Sequence, residues 1–349
     1  MKTAYLKLQV RKLLSIDSKE ELLYLLETNE YTADLLIQNP PYNIFNVPKR
    51  HGGTRLIEDP TNTLQTIQEK LNDYLQPLYY LNRTNAAYGF ILHPKDDDAP
   101  RNIVTNAKKH ASNDYLLAID MQDFFHQVCW QMVYDSLCSS PFLIADEVTK
   151  YISNLCTYNG RLPMGAPTSP VLSNVAAYQL DKELENYCTG EDLVYTRYVD
   201  DMSISSNKPI LERHLAQITN ITERLRLKLN PYKTKLYGPG EEKLITGLVI
   251  KGNEVKVADS FITETEKEIA NLKTYVLMLK RMYPNKPIEE MILKPVQKIT
   301  GALTFIASVH GANYIPVQQL AEKLDEAQVP PSDYESLNWL NIGYISKMT

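Results

Sequence analysis

Through the first 40 residues, apolar positions recur at helical spacing among charged ones, with Leu22, Leu23, Leu25 and Leu26 in one dense group and Asn39-Pro40-Pro41 as a stop. That pattern predicts N-terminal helices. In VPKRHGGTRLIEDP, Gly52-Gly53 separates two basic, β-prone segments and reads as a hairpin. Thr63 to Leu78 returns to helical periodicity through Leu64, Ile67, Leu71 and Leu75. Beyond a loop rich in Asp and Pro, Asn102 to Ala111 reads as helix. Tyr115 to Ile119 is an apolar run of strand length that ends at Asp120, where a buried strand would deliver a carboxylate to a sheet edge.

Pro163 to Pro170 is rich in turn formers, and Pro170 suits the first turn of a helix running through Leu180 to Tyr187, capped by Ser169 or Thr168. Val194 to Val199 and Met202 to Ser206 are β-rich runs with Asp200-Asp201 at the reversal, a hairpin expected beside the Asp120 strand. The remaining pattern predicts a helix from Leu211 to Leu229, strands at Lys235 to Tyr237 and Leu244 to Ile250, and a Gly252-Asn253 turn. Two helices, from about Ser260 to Met282 and from Pro287 to Val309, follow. No internal repeat or low-complexity tract marks a linker.

Composition narrows the class. At roughly 150 residues per domain, 349 residues suggest about two domains or one large fold of several parts. Hydrophobic residues at 44% and charged residues at 23% describe an ordinary globular chain. No apolar run approaches a bilayer span, and the N-terminus lacks the apolar core and cleavage site of a signal peptide, so the expectation is a cytoplasmic protein without a membrane partner. Cys129, Cys138, Cys156 and Cys188 are far apart, which argues against a disulfide framework and a zinc knuckle and for reduced thiols in or near the core.

The net charge of −5 looks wrong for a protein that binds nucleic acid. The average conceals an asymmetry: Asn220 to Thr300 carries 15 basic and 10 acidic residues, whereas the last 32 residues carry five acids and two lysines. Local patches, not net charge, steer a polyanion.

Adjacent aspartates in the turn of an apolar hairpin are unusual, because strands disfavour Asp and neighbouring like charges repel. A solvated Asp-Asp turn is the plain explanation of that pair taken alone. The chemical alternative is a hard divalent cation bound by carboxylate oxygens, with Asp120 completing a two-metal site. In such a site one metal activates an attacking hydroxyl while the other stabilises a leaving pyrophosphate, which is nucleotidyl transfer.

The surrounding residues favour the chemical alternative. Tyr198-Val199-Asp200-Asp201 resembles the Y-x-D-D box of reverse transcriptases, LLAIDMQDFFHQV resembles their first palm carboxylate followed by an aromatic pair, and RLPMGAPTSPVLSN resembles their LPxG box, in the same order and at natural intervals. KRHGGTRLIEDP resembles the first fingers motif, and LNPYKTKLY the Lys-Thr box after the Y-x-D-D hairpin. NIVTNAKKH resembles the N-A-x-x-H element and LITGLVI the V-T-G element of retron reverse transcriptases, with Ile245 in place of the Val. The resemblance spans nearly the whole chain and is to a retron-type, RNA-directed DNA polymerase.

It implies an α+β fold of the right-hand polymerase type: fingers with N-terminal helices in 1–112, a palm with an antiparallel sheet carrying the Asp triad in 113–240, and a palm–thumb junction, helical thumb and tail in 241–349. It implies Asp120, Asp200 and Asp201 as catalytic, metal-holding carboxylates with the Met121 backbone carbonyl as a further ligand, and two Mg²⁺ per site, with Mn²⁺ as a substitute. Phe125 matches the ring that leaves no room for a 2′-hydroxyl, with a plain core side chain as the alternative, whereas Phe124 is expected in the core. Arg55 stands where the fingers would grip a triphosphate, with Lys49 and Arg50 as competitors, and solvated hairpin residues as the simpler alternative for all three. Lys233 is a candidate to protonate departing pyrophosphate, or a phosphate contact or plain surface lysine.

Gly165, Pro167 and Ser169 would shape the loop beside template and nucleotide, and Met164 replaces the Gln of many relatives. Tyr198 is carried over among the RNA/DNA contacts. Asn106 and His110 could recognise structured RNA, with a capping Asn and a packed His as alternatives; Thr246 and Gly247 divide between an RNA contact and a tight strand crossing. Lys228, Lys233, Lys235, Lys273, Lys280 and Arg281 would line a duplex-binding thumb, or simply form a solvated surface.

The partners so implied are a dedicated structured noncoding RNA serving as template and primer, its DNA product, dNTPs, and a protein effector in defence against phage; the product would be branched or RNA-linked single-stranded DNA (msDNA). Two alternatives stay open: another bacterial reverse transcriptase, of the abortive-infection or group II intron type, and an RNA-binding scaffold that restrains a toxic effector. The acidic tail from Asp325, with Trp339, Leu340 and Tyr344, would dock a partner or close the thumb.

Overall fold

A computed structural model describes residues 1–48 and 52–328. Lys49, Arg50 and the tail residues Trp339, Leu340 and Tyr344 therefore lie outside the described residues. The chain divides into two compact units at Glu241 and Glu242.

The first unit opens with three short helices, α1 (Thr3–Leu14), α2 (Lys19–Leu25) and α3 (Glu30–Gln38). Ser18 and Asn29 cap the second and third by accepting from the backbone N–H groups of Glu21 and Thr32. Leu6, Leu13, Leu22, Leu23 and Leu26 are buried, as the periodicity requires. The antiparallel hairpin β1 (Tyr42–Pro48) and β2 (Thr54–Pro60) follows, and then the long helix α4 (Asn62–Asn82), which buries Leu64, Ile67, Leu71 and Leu75. α5 (Ile103–Lys108) is a short helix closed by a capping box between Asn102 and Thr105.

At the centre lies a four-stranded antiparallel sheet made of β3 (Tyr115–Met121), β4 (Val194–Tyr198), β5 (Asp201–Ser206) and β6 (Leu229–Tyr237), in the order β4-β5-β3-β6. β3 lies between β5 and β6, and all of its residues but Tyr115 and Ala118 are buried. Six helices complete the unit: α6 (Phe124–Gln127), α7 (Trp130–Cys138), α8 (Asp146–Cys156), α9 (Ser169–Ala176), α10 (Tyr178–Gly190) and α11 (Glu212–Arg224). One contiguous core joins the N-terminal helices to the sheet, running from Leu13 and Leu22 through Leu71 and Leu75 to Phe124, Ile152, Leu172 and Ile204. Each such side chain contributes about 1.5–3 kcal/mol on leaving water.

In the second unit β7 (Lys243–Ile245), β8 (Leu248–Lys251) and β9 (Glu254–Val257) form a three-stranded antiparallel sheet. Three helices, α12 (Asp259–Met282), α13 (Glu289–His310) and α14 (Ile315–Gln328), pack around Leu272, Val276, Ile299, Leu303, Leu320 and Leu324.

Four expectations need correction. The helix expected from Pro170 to Tyr187 is two, separated at Ala177, and Thr168 makes no side-chain cap. The helix expected to reach Leu229 stops at Arg224, because Arg226 takes a left-handed backbone (φ 62°) and the chain turns into β6. The strand expected from Leu244 to Ile250 is a hairpin: Thr246 (φ 46°) and Gly247 (φ 83°) form a two-residue turn between Ile245 and its partner Leu248. α14 was not anticipated; it includes Asp325 and Glu326, the first acids of the expected tail. Cys156 and Cys188 are buried and all four thiols are free. Among the described residues no helix is long and apolar enough to cross a membrane.

Candidate active site

The register of the central sheet brings the aspartates together. Asp120 at the end of β3 pairs across the strands with Asp201 at the start of β5, and Asp200 precedes it in the turn. The backbone N–H of Met121 donates to the Asp200 carbonyl at 2.9 Å, which ties the reversal to the end of β3. Lys233 of β6 donates through Nζ to Asp120 Oδ1 at 2.8 Å. Burial pushes the Asp201 carboxyl up to about 7, and the charges of Asp200 and Asp120 push in the same direction. Asp200 is raised as well, by burial first and by Asp120, against the opposing pull of Lys233 and Arg55. The hydrogen bond to Asp120 raises the Lys233 ammonium.

Three neighbouring carboxylates, two of them half-buried and raised, form a donor set of the chemistry that a hard divalent cation fits. Among the described residues, however, no group of three His, Cys, Asp or Glu stands close enough together to hold a metal without adjustment, and one Asp120 oxygen is taken by Lys233. The fit is thus one of ligand type and location. A cation would have to draw the carboxylates inward.

The turn itself is strained. Val199 is β-branched yet adopts φ 60°, a conformation such residues rarely take. Beneath it lies Arg197, which is fully buried and donates to Val199 O at 2.9 Å, to Asn174 Oδ1 at 3.0 Å and to both oxygens of Asp181 at 2.7 and 2.6 Å. Asp181 also accepts from Tyr195 and Thr84. On the other side Gly89 lies so close that a Cβ there would stand 2.6 Å from Val199 Cγ2 and 2.8 Å from its nitrogen. Sequence reasoning missed Arg197, Asp181, Asn174 and Gly89. The available signal was an arginine inside an otherwise β-prone, half-apolar strand.

Phe125, in α6, is partly exposed, with its ring centroid 6.3 Å from that of Phe90, whereas Phe124 is buried in the core. Arg55 is exposed on β2, close enough to Asp200 to lower its carboxyl. Gly165 has φ 133° and lies against β2, where a Cβ would come within 2.9 Å of Glu58 O. Pro167 is half-buried and its carbonyl accepts from Asn72 at 2.6 Å. Tyr198 is half-buried beside the aspartates.

Three residues expected at an RNA/DNA surface are enclosed instead. Ser169 turns its hydroxyl onto the Pro163 carbonyl at 2.6 Å and so shapes the loop from within. His110 has both ring nitrogens engaged, by Ser205 at 2.6 Å and Thr196 at 2.7 Å, and burial pushes it down to about 3, so it is neutral. Asn106 is 1% exposed and its amide has no hydrogen-bond partner. None of the three is available for direct contact with nucleic acid in this fold. Within the second unit, Gly247 and Lys273 are exposed, and Thr246 and Lys280 are half-buried.

A family model described as "Reverse transcriptase (RNA-dependent DNA polymerase)" matches residues 47–268, more than half of the chain. Among curated proteins the chain is 28% identical over 304 residues to the retron Ec86 reverse transcriptase of Escherichia coli, covering 85% of this chain and 83% of that one. It is 26% identical over 235 residues to the retron Ec83 reverse transcriptase of E. coli, covering 63% and 72%, and 28% identical over 239 residues to the retron Mx162 reverse transcriptase of Myxococcus xanthus, covering 60% and 47%. Solved telomerase structures from Candida albicans (TM-score 0.46, 11% identity, 88% of this chain and 68% of that one) and Candida tropicalis (TM-score 0.45, 15% identity, 82% and 62%) are more distant likenesses and add nothing to the family match. The ordered motifs, the right-hand polymerase fold with its antiparallel sheet and the family match converge: the chain belongs to the reverse transcriptases, the RNA-dependent DNA polymerases, and within them is of the retron type.

Proposed function

We propose that this polymerase reverse-transcribes a dedicated structured noncoding RNA into single-stranded DNA that stays branched from or linked to that RNA, as msDNA, and that it does so alongside a protein effector in defence against phage. The observation that carries the catalytic part is the convergence of Asp120, Asp200 and Asp201 at one end of paired strands. The retron part is supported by the named relatives. A cytoplasmic location belongs to the same reading, as does the division into fingers (1–112), palm (113–240) and thumb with tail (241–349).

In this reading Asp120, Asp200, Asp201 and the Met121 carbonyl hold two Mg²⁺, which supply activation of the attacking hydroxyl and charge neutralisation at the leaving pyrophosphate. The residues around them orient the substrate. Arg55 grips the triphosphate, because its planar fork can bind phosphate oxygens bidentately. Phe125 closes the space that a ribose 2′-hydroxyl would need. Lys233, already charged beside Asp120, is poised to give a proton to the departing pyrophosphate. Gly165 lets the loop backbone lie close to the hairpin, and lysines such as Lys273 and Lys280 hold an RNA/DNA hybrid through its backbone.

The test is to purify the chain from its native host and to compare the nucleic acid it carries with that of the Asp200→Ala, Asp201→Ala double variant. Short DNA attached to one discrete RNA, present only with the aspartates intact, is the expected result. The same RNA on both proteins, with no DNA and no dNTP incorporation on primed templates, would replace this reading with an RNA-binding scaffold.

A further inference from the structure

We propose that Glu58, paired with Arg161, is a positioning residue for the incoming nucleotide: it locks the hairpin bearing Arg55 to the loop bearing Gly165 and to the helix bearing Phe125. The inference rests on the nucleotide roles proposed above for those three residues.

Glu58 lies on β2, three residues after Arg55, and is 2% exposed. Its carboxylate takes both terminal nitrogens of Arg161, Nη1 to Oε2 at 2.7 Å and Nη2 to Oε1 at 2.9 Å. This is the bidentate arrangement that fixes orientation as well as distance. His126 Nε2 stands 3.4 Å from Oε2, with no hydrogen bond of its own. The backbone of the same residue is engaged too: Glu58 N donates to Met164 O at 2.7 Å, and its carbonyl is the atom that a Cβ on Gly165 would strike. Burial pushes the Glu58 carboxyl up, but Arg161 and His126 more than offset this and hold it below the ordinary carboxylate range.

The partners come from three segments that sequence separates widely. Arg161 belongs to the turn that leads into Leu162 to Gly165. That turn is sewn to the chain just after α6, through Leu162 N to Val128 O and Trp130 N to Gly160 O, both at 2.9 Å. His126 lies in α6 next to Phe125. Glu58 therefore joins the element carrying Arg55 to the loop carrying Gly165 through its carboxylate on Arg161 and its backbone on Met164, and the Arg161 turn extends the connection to the chain just after the helix carrying Phe125.

Among the described residues, little apolar packing holds Arg55 in place. In β1, Ile44, Phe45 and Val47 are exposed, and in β2 only Glu58 and Pro60 are buried. A hairpin with so little apolar burial is positioned at its base. A bulkier apolar residue at 58 could fill the space, but only a carboxylate meets Arg161 and so sets the angle at which the strand leaves the palm.

The experiment is steady-state incorporation of a single dNTP, and of the matching rNTP, on a primed RNA template by the full-length chain and by the Glu58→Gln, Glu58→Asp and Arg161→Lys variants. Thermal unfolding and primer-template affinity are measured in parallel. Glu58→Gln and Arg161→Lys are expected to raise KM for dNTP about tenfold, to change kcat less than about twofold, and to lower the preference for dNTP over rNTP severalfold. Glu58→Asp should recover part of the loss, and the Glu58→Gln, Arg161→Lys double variant should be no worse than either single, because both remove one interaction. Unchanged KM, additive losses, or losses that follow the unfolding temperature alone would overturn the positioning role while leaving the polymerase reading intact. If the parent chain itself incorporates no dNTP, the polymerase reading fails, and the clamp with it.

Discussion

Arg197, fully enclosed, donates to the carbonyl of Val199 at 2.9 Å, and Val199 is the residue whose left-handed backbone turns the chain into Asp200 and Asp201. A strained turn of this kind costs on the order of 1–3 kcal/mol and persists only when its surroundings dictate it. Here the surroundings are a buried arginine below and the backbone of Gly89 alongside.

Replacing Arg197 by Met leaves Asp181 buried without its cation. The expected loss is about 3–5 kcal/mol of stability, read from denaturant unfolding. Adding Asp181→Leu should return part of that loss, because an apolar pair avoids the uncompensated charge even though Tyr195 and Thr84 lose an acceptor. A double variant less stable than the single would contradict this account.

Divalent metal should stabilise the chain even without substrate, since it would offset the burial of Asp200 and Asp201 and the repulsion from neighbouring carboxylates that together raise them. For a site of roughly millimolar affinity, 10 mM Mg²⁺ should add about 1.4 kcal/mol. Thermal unfolding with and without Mg²⁺ measures this. An equal shift in an Asp200→Asn, Asp201→Asn variant would place the effect elsewhere.

The two adjacent phenylalanines should separate cleanly. Phe124→Ala removes a core side chain and should cost about 3–5 kcal/mol. Phe125→Ala, at a partly exposed position, should cost much less stability but admit ribonucleotides; the ratio of kcat/KM for dNTP over rNTP reads that change. Retained discrimination in Phe125→Ala would assign the selection to another residue.

His110 gives the stability a pH dependence of known sign. Burial lowers it from 6.5 to about 3, so below pH 6.5 the unfolded chain takes up a proton that the folded chain refuses. Stability is therefore lost as pH falls from 6.5, by about 2 kcal/mol at pH 5 from this residue. His110→Gln cannot titrate, so its stability deficit relative to the parent should narrow between pH 7 and pH 5. A constant deficit would show that the histidine is charged or accessible in the fold.

Much of the site was legible because its signals are local. The apolar run ending at Asp120, the aspartate pair between two β-rich runs, and the aromatic pair four and five residues past Asp120 depend on a few neighbouring residues, and the three strands that carry or flank the aspartates, β3, β4 and β5, form where they were expected. Ser169, Asn106 and His110 were less legible for the opposite reason, and of the two readings of His110 the fold takes the packed one: a polar residue in a short motif looks the same whether it faces solvent or is satisfied, or left alone, inside.

What the sequence by itself determined is what periodicity and order carry: most of the elements, the family, and the aspartates as the proposed centre of the chemistry. Only the tertiary structure decided the break at Ala177, the turn at Thr246-Gly247, the buried support of Val199 by Arg197, and the junction of Glu58 with Arg161 across 103 positions of chain. Those features depend on which distant residues share a dry interior, where a charge survives only beside its partner, and no local pattern records that pairing.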